Sequence, residues 1–373
     1  MPEPGVLKRF CVKALKKTKV FTLHEQRLKS LRNVMNDLDA FLTTSSANIW
    51  YLTGFFPGFP SLLFVPKDGE VALLVSKADA APAEEKCRFR IEVTGSEGFT
   101  GKLKEFIKPE FKKVGVEESL EAGTLSRLMK EFPTISFELF NGLRSIRSVK
   151  SPSEIKEIQK SVKIAEAGMK AAIESVNVGV RECDVAAEAE YEMRRLGAEA
   201  FPFDTIVASG KKAALPHATT STKKIERGDV VVIDLGAKYR YYCSDITRTA
   251  IVGRNDKMEK VLRSVIRSQE AALSMVKPEV ACNELDSAAR KVLEADGYDK
   301  YFPHSLGHGI GLDVHELPSL NPTSRDKLKE NMVFTVEPGV YIYGTGGVRV
   351  EDIVVVEKKR GKTLTRIPKE IFI

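Results

Sequence analysis

Two apolar, valine-rich runs in the second half of the chain each end in an acidic residue. Residues 230–233 (Val-Val-Val-Ile) lead into Asp234, and residues 333–336 (Val-Phe-Thr-Val) lead into Glu337. A continuous apolar run of this length predicts a strand that is buried on both faces. Because charged side chains are rarely buried without a partner, a fold that buries these strands must bring compensating charge to both strand ends.

Each run is followed by a return strand that carries a second carboxylate. Asp245 precedes Ile-Thr in the first case, and Glu351 precedes a second valine-rich run in the other. We predict two hairpins, over residues 230–251 and 333–356, the second turning at its glycines. Because opposed residues of an antiparallel pair share a face, we expect Asp234 and Asp245 to lie side by side.

Four carboxylates among valines require positive charge, and Arg349 lies nearby in sequence. Two divalent metal ions are the economical solution, because their charge of +4 balances −4. Residues 302–316 also hold three of the five histidines of the chain, at 304, 308 and 315. A lone histidine is more often structural, but beside a carboxylate cluster we interpret His217, His308 and His315 as site residues.

The helices form a repeat of architecture. Ser151-Pro152-Ser153-Glu154 is a capping box with proline at the first helical position, which predicts a helix start and a domain boundary near residue 150. From there, two helices lead to a hairpin, and then two more helices lead to a hairpin. The later three helices are predicted over residues 183–196, 257–276 and 283–295.

Residues 1–149 have the pattern of a separate α/β domain without a catalytic cluster. Apolar residues recur at helical spacing over residues 23–38, and a Pro-Lys-Asp-Gly turn joins two short strands into a hairpin over residues 61–75. We interpret this part as a support or oligomerisation domain. The predicted class is therefore α/β (α+β), with domains at 1–149 and 150–373.

Composition and charge exclude several classes of protein. The chain is 43% hydrophobic and 29% charged, as in ordinary soluble domains, and it contains no apolar run of the roughly 20 residues that a membrane span needs. The net charge of +7 is spread along the chain, which argues against nucleic-acid binding. The basic stretch over residues 8–19 lacks the features of a secretory signal. Five scattered cysteines without a C-x-x-C favour a reducing cytoplasm.

Five motifs occur together in a characteristic order: Ile-Asp-Leu-Gly-Ala, Ser-Asp-Ile-Thr-Arg-Thr, His-Gly-Ile-Gly, Val-Glu-Pro-Gly and Arg-Val-Glu-Asp. They begin at residues 233, 244, 308, 336 and 349. With them, the chain from about residue 150 resembles the "pita-bread" metallopeptidases of family M24, which include Xaa-Pro dipeptidase (prolidase), aminopeptidase P and methionine aminopeptidase. The first 145 or so residues resemble the creatinase-type N-terminal domain, which favours the proline-directed members. The resemblance implies a pita-bread catalytic domain with a pseudo-twofold repeat of helix pairs.

The resemblance also implies a role for each site residue. The metal ligands would be Asp234, Asp245, His308, Glu337 and Glu351, with Asp245 and Glu351 bridging two ions. Glu337 would also be the general base, and His217, His315 and Arg349 further catalytic residues. His217 and His315 would lie beside the substrate, with Phe203 and Ile206 in the wall of a proline pocket. His304, Thr247 and Arg349 would lie behind the ligands.

Cofactor and substrate follow from the same resemblance. Four carboxylates and one imidazole without a thiolate favour Mn²⁺, with Co, Fe and Zn as alternatives. Proline-containing peptides would be the substrates, and a homodimer is expected. Prolidases often carry an arginine four residues after the equivalent of His315, where this chain has Ser319. That departure favours an Xaa-Pro aminopeptidase, with an Xaa-Pro dipeptidase as the alternative.

Two further alternatives use the same fold without this chemistry. One is a non-catalytic binding protein, and the other is a metal-free C–N hydrolase resembling creatinase. Both usually lack the complete ligand set, which this chain retains.

Overall fold

A computed structural model describes residues 23–373 of the chain. The chain divides into two compact units, Met1–Ile146 and Arg147–Ile373. The basic stretch over residues 8–19 and Cys11 lie outside the described residues. Within those residues, none of the helices combines the length and the hydropathy that a bilayer crossing requires.

The first unit is built on a six-stranded mixed sheet with the strand order β4-β3-β2-β1-β5-β6. Its strands are β1 Ala40–Thr43, β2 Leu62–Pro66, β3 Ala72–Val75, β4 Arg90–Val93, β5 Lys113–Val116 and β6 Ser136–Leu139. The helices of this part are α1 over residues 23–34, α2 Ser46–Thr53, α3 Ala80–Lys86, α4 Gly98–Leu103, α5 Ala122–Glu131 and α6 Gly142–Ser148.

Two local predictions for this unit meet different outcomes. The hairpin is confirmed, since β2 and β3 pair antiparallel with Leu62 opposite Leu74. The first helix is shorter than its apolar spacing predicted. It ends at residue 34, because Asn36 takes a left-handed φ of 44°, and Val34 is left exposed while Met35 is buried.

The second unit contains two helix pairs, as the repeat predicted. They are α7 Pro152–Ser175, α8 Glu182–Arg195, α9 Asp256–Met275 and α10 Cys282–Ala295. The capping box of α7 is present: the Ser151 side chain accepts from the backbone N–H of Glu154, whose carboxylate accepts from the Ser151 N–H. Helices α8 and α10 are both 14 residues long, and their first residues, Glu182 and Cys282, are 100 positions apart in the sequence.

The strands of the second unit form two main sheets, with the orders β19-β11-β8-β7 and β13-β12-β14-β17-β18, and two short ribbons, β9–β10 and β15–β16. They are β7 Ile206–Ser209, β8 Val230–Leu235, β9 Lys238–Tyr239, β10 Tyr242–Cys243, β11 Ile246–Ile251, β12 Gly307–Gly309, β13 Glu316–Leu320, β14 Val333–Val336, β15 Gly339–Ile342, β16 Gly346–Arg349, β17 Asp352–Val356, β18 Gly361–Thr363 and β19 Ile371–Phe372.

Both predicted hairpins are present, and the second is divided into two ladders. Strands β14 and β17 pair up to Val336 opposite Asp352, and β15 and β16 pair from Gly339 opposite Arg349. Pro338 lies between the ladders, and a proline has no N–H to donate to a neighbouring strand. The pairing of the hairpin is therefore interrupted at Glu337, which lies directly before this proline.

Candidate metal centre

The carboxylates of the first hairpin lie diagonally across it. Asp234, near the end of β8, is opposite Thr247 of β11, and Asp245 lies two residues before Thr247. Successive side chains of a strand alternate between faces, so Asp245 and Thr247 share the face that Asp234 occupies. Asp234 and Asp245 thus share a face, as predicted, but they form a diagonal pair and are not directly opposite each other.

The carboxylates of the second hairpin lie where its ladders break. Glu337 directly follows β14 and Glu351 directly precedes β17. The backbone N–H of Glu337 donates to the carbonyl of Leu306 (2.8 Å), and that of Glu351 donates to the carbonyl of Thr247 (3.1 Å). The bond from Glu351 to Thr247 joins the second hairpin to strand β11 of the first hairpin.

His308 of β12 completes a cluster with these carboxylates. Its Nε2 lies 3.2 Å from Glu337 Oε1 and 3.7 Å from Asp245 Oδ2. One ligand atom from each of Asp245, His308 and Glu351 lies within 4.8 Å of the other two. Because His308 Nδ1 is 3.2 Å from the carbonyl oxygen of Gly309, we assign the proton of the neutral ring to Nδ1, which leaves Nε2 for a metal.

Two carboxylate oxygens at this site are buried without a hydrogen-bond partner among the described residues. They are Asp234 Oδ1 and Glu351 Oε1. The second oxygen of each group is held, since Asp234 Oδ2 accepts from Arg349 and Glu351 Oε2 accepts from Thr247 Oγ1. A buried acceptor without a partner is costly, and coordination of a cation removes that cost. The donor set therefore fits a divalent metal centre.

In the metal-free cluster, the carboxylates lie close enough to disfavour one another's ionisation. Burial raises the pKa of Asp245 well above its ordinary range, and the neighbouring charges of Glu351 and Asp234 raise it further. Burial and the charges of Glu337 and Asp234 do the same to the pKa of Glu351. Burial also opposes ionisation of Glu337, but the hydrogen bond and charge of His308 lower its pKa to about 2.

Arg349 connects the groups behind the ligands. This buried guanidinium donates from Nη2 to Asp234 Oδ2 (2.5 Å) and from Nε to Thr247 Oγ1 (3.0 Å). Thr247 Oγ1 in turn donates to Glu351 Oε2 (2.8 Å). One cation thereby orients one carboxylate directly and a second through a hydroxyl.

Tyr341 also belongs to this network, and the sequence analysis did not identify it. Its hydroxyl accepts from Arg349 Nη1 (2.7 Å) and lies 2.9 Å from His304 Nε2. His304 Nδ1 lies 2.9 Å from the carbonyl oxygen of Ser305, so we assign the ring proton to Nδ1, and Tyr341 then donates to Nε2. The available signal was a tyrosine within an otherwise apolar strand, since a buried tyrosine hydroxyl usually has a polar partner.

The cluster lines a cavity of about 650 Å³. The cavity contains all five predicted ligands, together with the predicted substrate residues Phe203, Ile206, His217 and His315. The ring of His315 lies edge-on to that of His308, with 4.4 Å between centroids. His304 and Arg349 also line the cavity, whereas Thr247 lies behind it.

Ser319 faces the same cavity, where it accepts a hydrogen bond from Asn321 Nδ2 (2.8 Å). Among the described residues that line the cavity, Arg349 is the one lysine or arginine, and it is already paired with Asp234. A negatively charged group entering this cavity would therefore meet histidines and hydroxyls rather than an unpaired arginine.

Each of the two parts of the chain matches a known protein family. Residues 156–358 match the model of Metallopeptidase family M24, and residues 27–149 match the Creatinase/Prolidase N-terminal domain. The chain is 41% identical to the Xaa-Pro dipeptidase of Pyrococcus horikoshii, over 90% of this chain and 95% of that protein.

The solved structures that resemble this chain include a prolidase and an X-Pro aminopeptidase, each over nine-tenths of the chain or more. The crystal structure of the prolidase from Pyrococcus horikoshii superposes with a TM-score of 0.88 at 38% identity, covering 92% of this chain and 99% of that one. The X-Pro aminopeptidase from Thermotoga maritima superposes with a TM-score of 0.80 at 35% identity, covering 90% of this chain and 98% of that one.

Proposed function

Because the chain belongs to metallopeptidase family M24, we propose that it hydrolyses the peptide bond before proline in Xaa-Pro dipeptides. Family membership confirms that the chain is a metallopeptidase, with the predicted creatinase-type N-terminal domain and pita-bread catalytic domain. We assign these domains to residues 1–149 and 150–373. The observation that carries the proposal is the cluster of Asp245, His308 and Glu351 in a cavity whose wall contains Phe203 and Ile206.

Five residues would hold the metal. Asp245 and Glu351 would be shared between two ions, Asp234 would serve the first ion, and His308 with Glu337 would serve the second. The unpartnered oxygens of Asp234 and Glu351 support this assignment. Oxygen donors with a single imidazole favour Mn²⁺, and Co, Fe and Zn are the other candidates. Such a metal pair polarises a scissile carbonyl and lowers the pKa of water.

The side chains of the cavity carry the remaining chemistry. Glu337 accepts a proton from the attacking water as the new C–O bond forms, and it returns that proton to the prolyl nitrogen as the C–N bond breaks. Burial lowers the pKa of His315 below its ordinary value, and the neutral ring donates one N–H to the developing oxyanion. His217 is assigned the same role.

The wall of the cavity selects the substrate. Phe203 and Ile206 offer apolar contact to a pyrrolidine ring, and both are partly buried at the cavity edge. A prolyl nitrogen has no N–H, so a site that offers it no hydrogen-bond acceptor loses nothing by binding it. Contact area on the ring then distinguishes proline from smaller residues.

A second candidate function is the Xaa-Pro aminopeptidase that Ser319 favoured. The Pyrococcus dipeptidase at 41% identity supports the dipeptidase instead, and we therefore place it first. The carboxylate of a dipeptide follows its proline directly, and a buried carboxylate needs a cation or several donors. The lack of an unpaired arginine among the described cavity residues is the observation that favours longer peptides.

A peptide panel separates these two activities. We would measure kcat/KM with Mn²⁺ for Ala-Pro, Gly-Pro and Met-Pro and for the matching Xaa-Pro-Ala tripeptides. Higher values for dipeptides support the dipeptidase, and higher values for tripeptides support the aminopeptidase. Ser319→Arg should shift the preference towards dipeptides, mainly through KM, whereas the control Ser319→Ala supplies no charge and should not.

Oligomeric state and location belong to the same proposal. We infer a homodimer from the family resemblance, which sedimentation velocity would test. A cytoplasmic location rests on the cysteines: the four that the structure describes are free, and Cys87, Cys243 and Cys282 are buried. Fractionation of cells that express the tagged chain would test the location.

A further inference from the structure

Glu337 and Glu351 lie where the pairing of the second hairpin is interrupted. The β14–β17 ladder ends at Val336 opposite Asp352, and the β15–β16 ladder starts at Gly339 opposite Arg349. Between these pairs the two chain segments are joined by a long backbone hydrogen bond from the Val350 N–H to the Pro338 carbonyl (3.4 Å), and both proposed glutamate ligands lie there. Regular strand pairing is therefore missing where the two glutamates lie, and contacts from outside the hairpin add to that one long bond in fixing the distance between them.

One side chain of helix α9 contacts both chain segments at this interruption. Gln269 of α9 is fully buried, and its Nε2 donates to the carbonyls of Val336 (2.9 Å) and Val350 (3.1 Å). Val336 and Val350 directly precede Glu337 and Glu351. The two N–H groups of one amide thus link the backbone just before one glutamate to the backbone just before the other.

Gln269 is an unusual residue for its position. The buried face of α9 is otherwise largely apolar around it, with Leu262, Val265 and Ala272 in the same core cluster. Its own Oε1 is buried without a hydrogen-bond partner among the described residues, which is a cost to the fold. A core position that needed only volume would be filled better by methionine or leucine, which carry no polar atom to satisfy.

We propose that Gln269 is a positioning residue of the metal centre, which sets the spacing of Glu337 and Glu351 by holding the backbone before each. It touches neither metal nor substrate in this proposal, and it acts through the two valine carbonyls. The Leu306 and Thr247 carbonyls each hold the backbone N–H of one glutamate, whereas Gln269 is joined to the backbone before both. The inference rests on the proposed function, because it needs Glu337 and Glu351 to be ligands.

The test measures metal affinity rather than activity. Mn²⁺ would be titrated calorimetrically into the metal-stripped full chain and into Gln269→Met, which keeps the volume but has no N–H. Loss of groups that orient metal ligands typically lowers affinity about 10–100-fold, and we expect the Kd of Gln269→Met to rise by at least tenfold. Thermal unfolding of both metal-free proteins would be recorded in parallel.

Ser268→Ala is the matched control. Ser268 is the neighbouring buried residue on α9. Its hydroxyl donates to the Ala289 carbonyl in α10 (2.8 Å) and not to the segments that carry Glu337 and Glu351. This variant should lose some stability and keep the Kd of the unmodified chain. An unchanged Kd in Gln269→Met would overturn the inference, as would an equal loss of affinity in Ser268→Ala, because the effect would then be general loosening.

Two further results are distinguishable. If Gln269→Met does not fold, Gln269→Asn keeps the amide one methylene shorter, and a Kd equal to that of the unmodified chain would again overturn the inference. If the unmodified chain binds no Mn²⁺, Co²⁺, Fe²⁺ or Zn²⁺, the proposed function is wrong. The inference is then wrong as well, because it needs Glu337 and Glu351 to be metal ligands. The titration of the unmodified chain tests the function, and the ratio of variant to unmodified Kd tests Gln269.

Discussion

Arg349 of the second hairpin donates from Nη2 to Oδ2 of Asp234 in the first, over 2.5 Å. Both side chains are largely buried, at 5% and 13% exposure. The ion pair occupies one oxygen of Asp234 and leaves Oδ1 without a partner among the described residues. The pairing therefore determines which oxygen of Asp234 is available to a metal.

Arg349→Lys should weaken metal binding although it keeps the charge. A single ammonium lacks the planar fork that reaches Asp234, Thr247 and Tyr341 together. We expect the Kd for Mn²⁺ to rise about 10–100-fold, as for other groups behind metal ligands. Calorimetric titration of the metal-stripped variant checks this, and an affinity equal to that of the unmodified chain would contradict the role of Arg349.

Asp245→Asn should lose metal and nearly abolish turnover, because Asp245 is the proposed bridge. The metal-free variant should gain stability, since burial and the charges of Glu351 and Asp234 raise the pKa of Asp245 in the folded state. Because the pKa of Asp245 is higher in the folded state, its ionisation destabilises the metal-free fold at high pH. This destabilisation disappears below the ordinary pKa of 3.8, where the group is protonated in both states.

The gain should thus appear at pH 8 and disappear by about pH 4. We expect a higher Tm than that of the unmodified metal-free chain at pH 8, and an equal Tm near pH 4. Scanning calorimetry of metal-free protein at both pH values checks it, with Asp204→Asn at the exposed edge of the cavity as control. Unchanged kcat with metal retained would reject the bridging role.

His308→Ala and His315→Ala should separate metal binding from catalysis. His308 points Nε2 at Glu337 and Asp245, so its removal should lower the metal content. His315 is assigned to the oxyanion, so its removal should keep the metal and lower kcat/KM by about 10²–10³. Elemental analysis with steady-state kinetics measures both, and equal metal content in the two variants would show that this division of roles is wrong.

Glu316 should make the fold sensitive to acid. It is buried, and although burial opposes ionisation, the charges of Arg147 and Lys150 lower its pKa from the ordinary 4.5 to about 2. A lowered folded pKa stabilises the fold above pH 4.5, and that contribution is lost as the pH falls towards 2.

Glu316→Gln should therefore cost on the order of 3 kcal/mol at pH 7 and progressively less below pH 4.5. Urea unfolding of metal-free protein across this range measures the difference. Glu259→Gln, which removes an exposed ion pair with Arg263, should change stability by less than about 0.5 kcal/mol at either pH. A pH-independent cost for Glu316→Gln would mean that its charge contributes nothing.

The sequence was sufficient to predict the two hairpins and the residues that meet between them, because apolar runs and turn residues are local signals. It did not predict the register of Asp234 with Thr247. A run that is buried on both faces has no alternation of polar and apolar residues to indicate which residue pairs with which.

Contacts between distant residues were equally out of reach. Gln269 lies 67 and 81 residues from the carbonyls that it contacts. Glu182 of α8 is fully buried and accepts from Ser209, Lys212 and Ser221, which lie 27, 30 and 39 residues away. Such partners are determined by packing between elements, for which a single sequence carries no periodic signal.

The most direct test of the account is the metal dependence of proline-directed cleavage by one preparation. The chain would be stripped of metal, verified by elemental analysis, and assayed with Ala-Pro and Ala-Ala before and during addition of Mn²⁺. We predict no cleavage without metal, and cleavage of Ala-Pro far above that of Ala-Ala as Mn²⁺ binds. Full cleavage of Ala-Pro by the verified metal-free chain, or equal cleavage of the two dipeptides, would contradict the account.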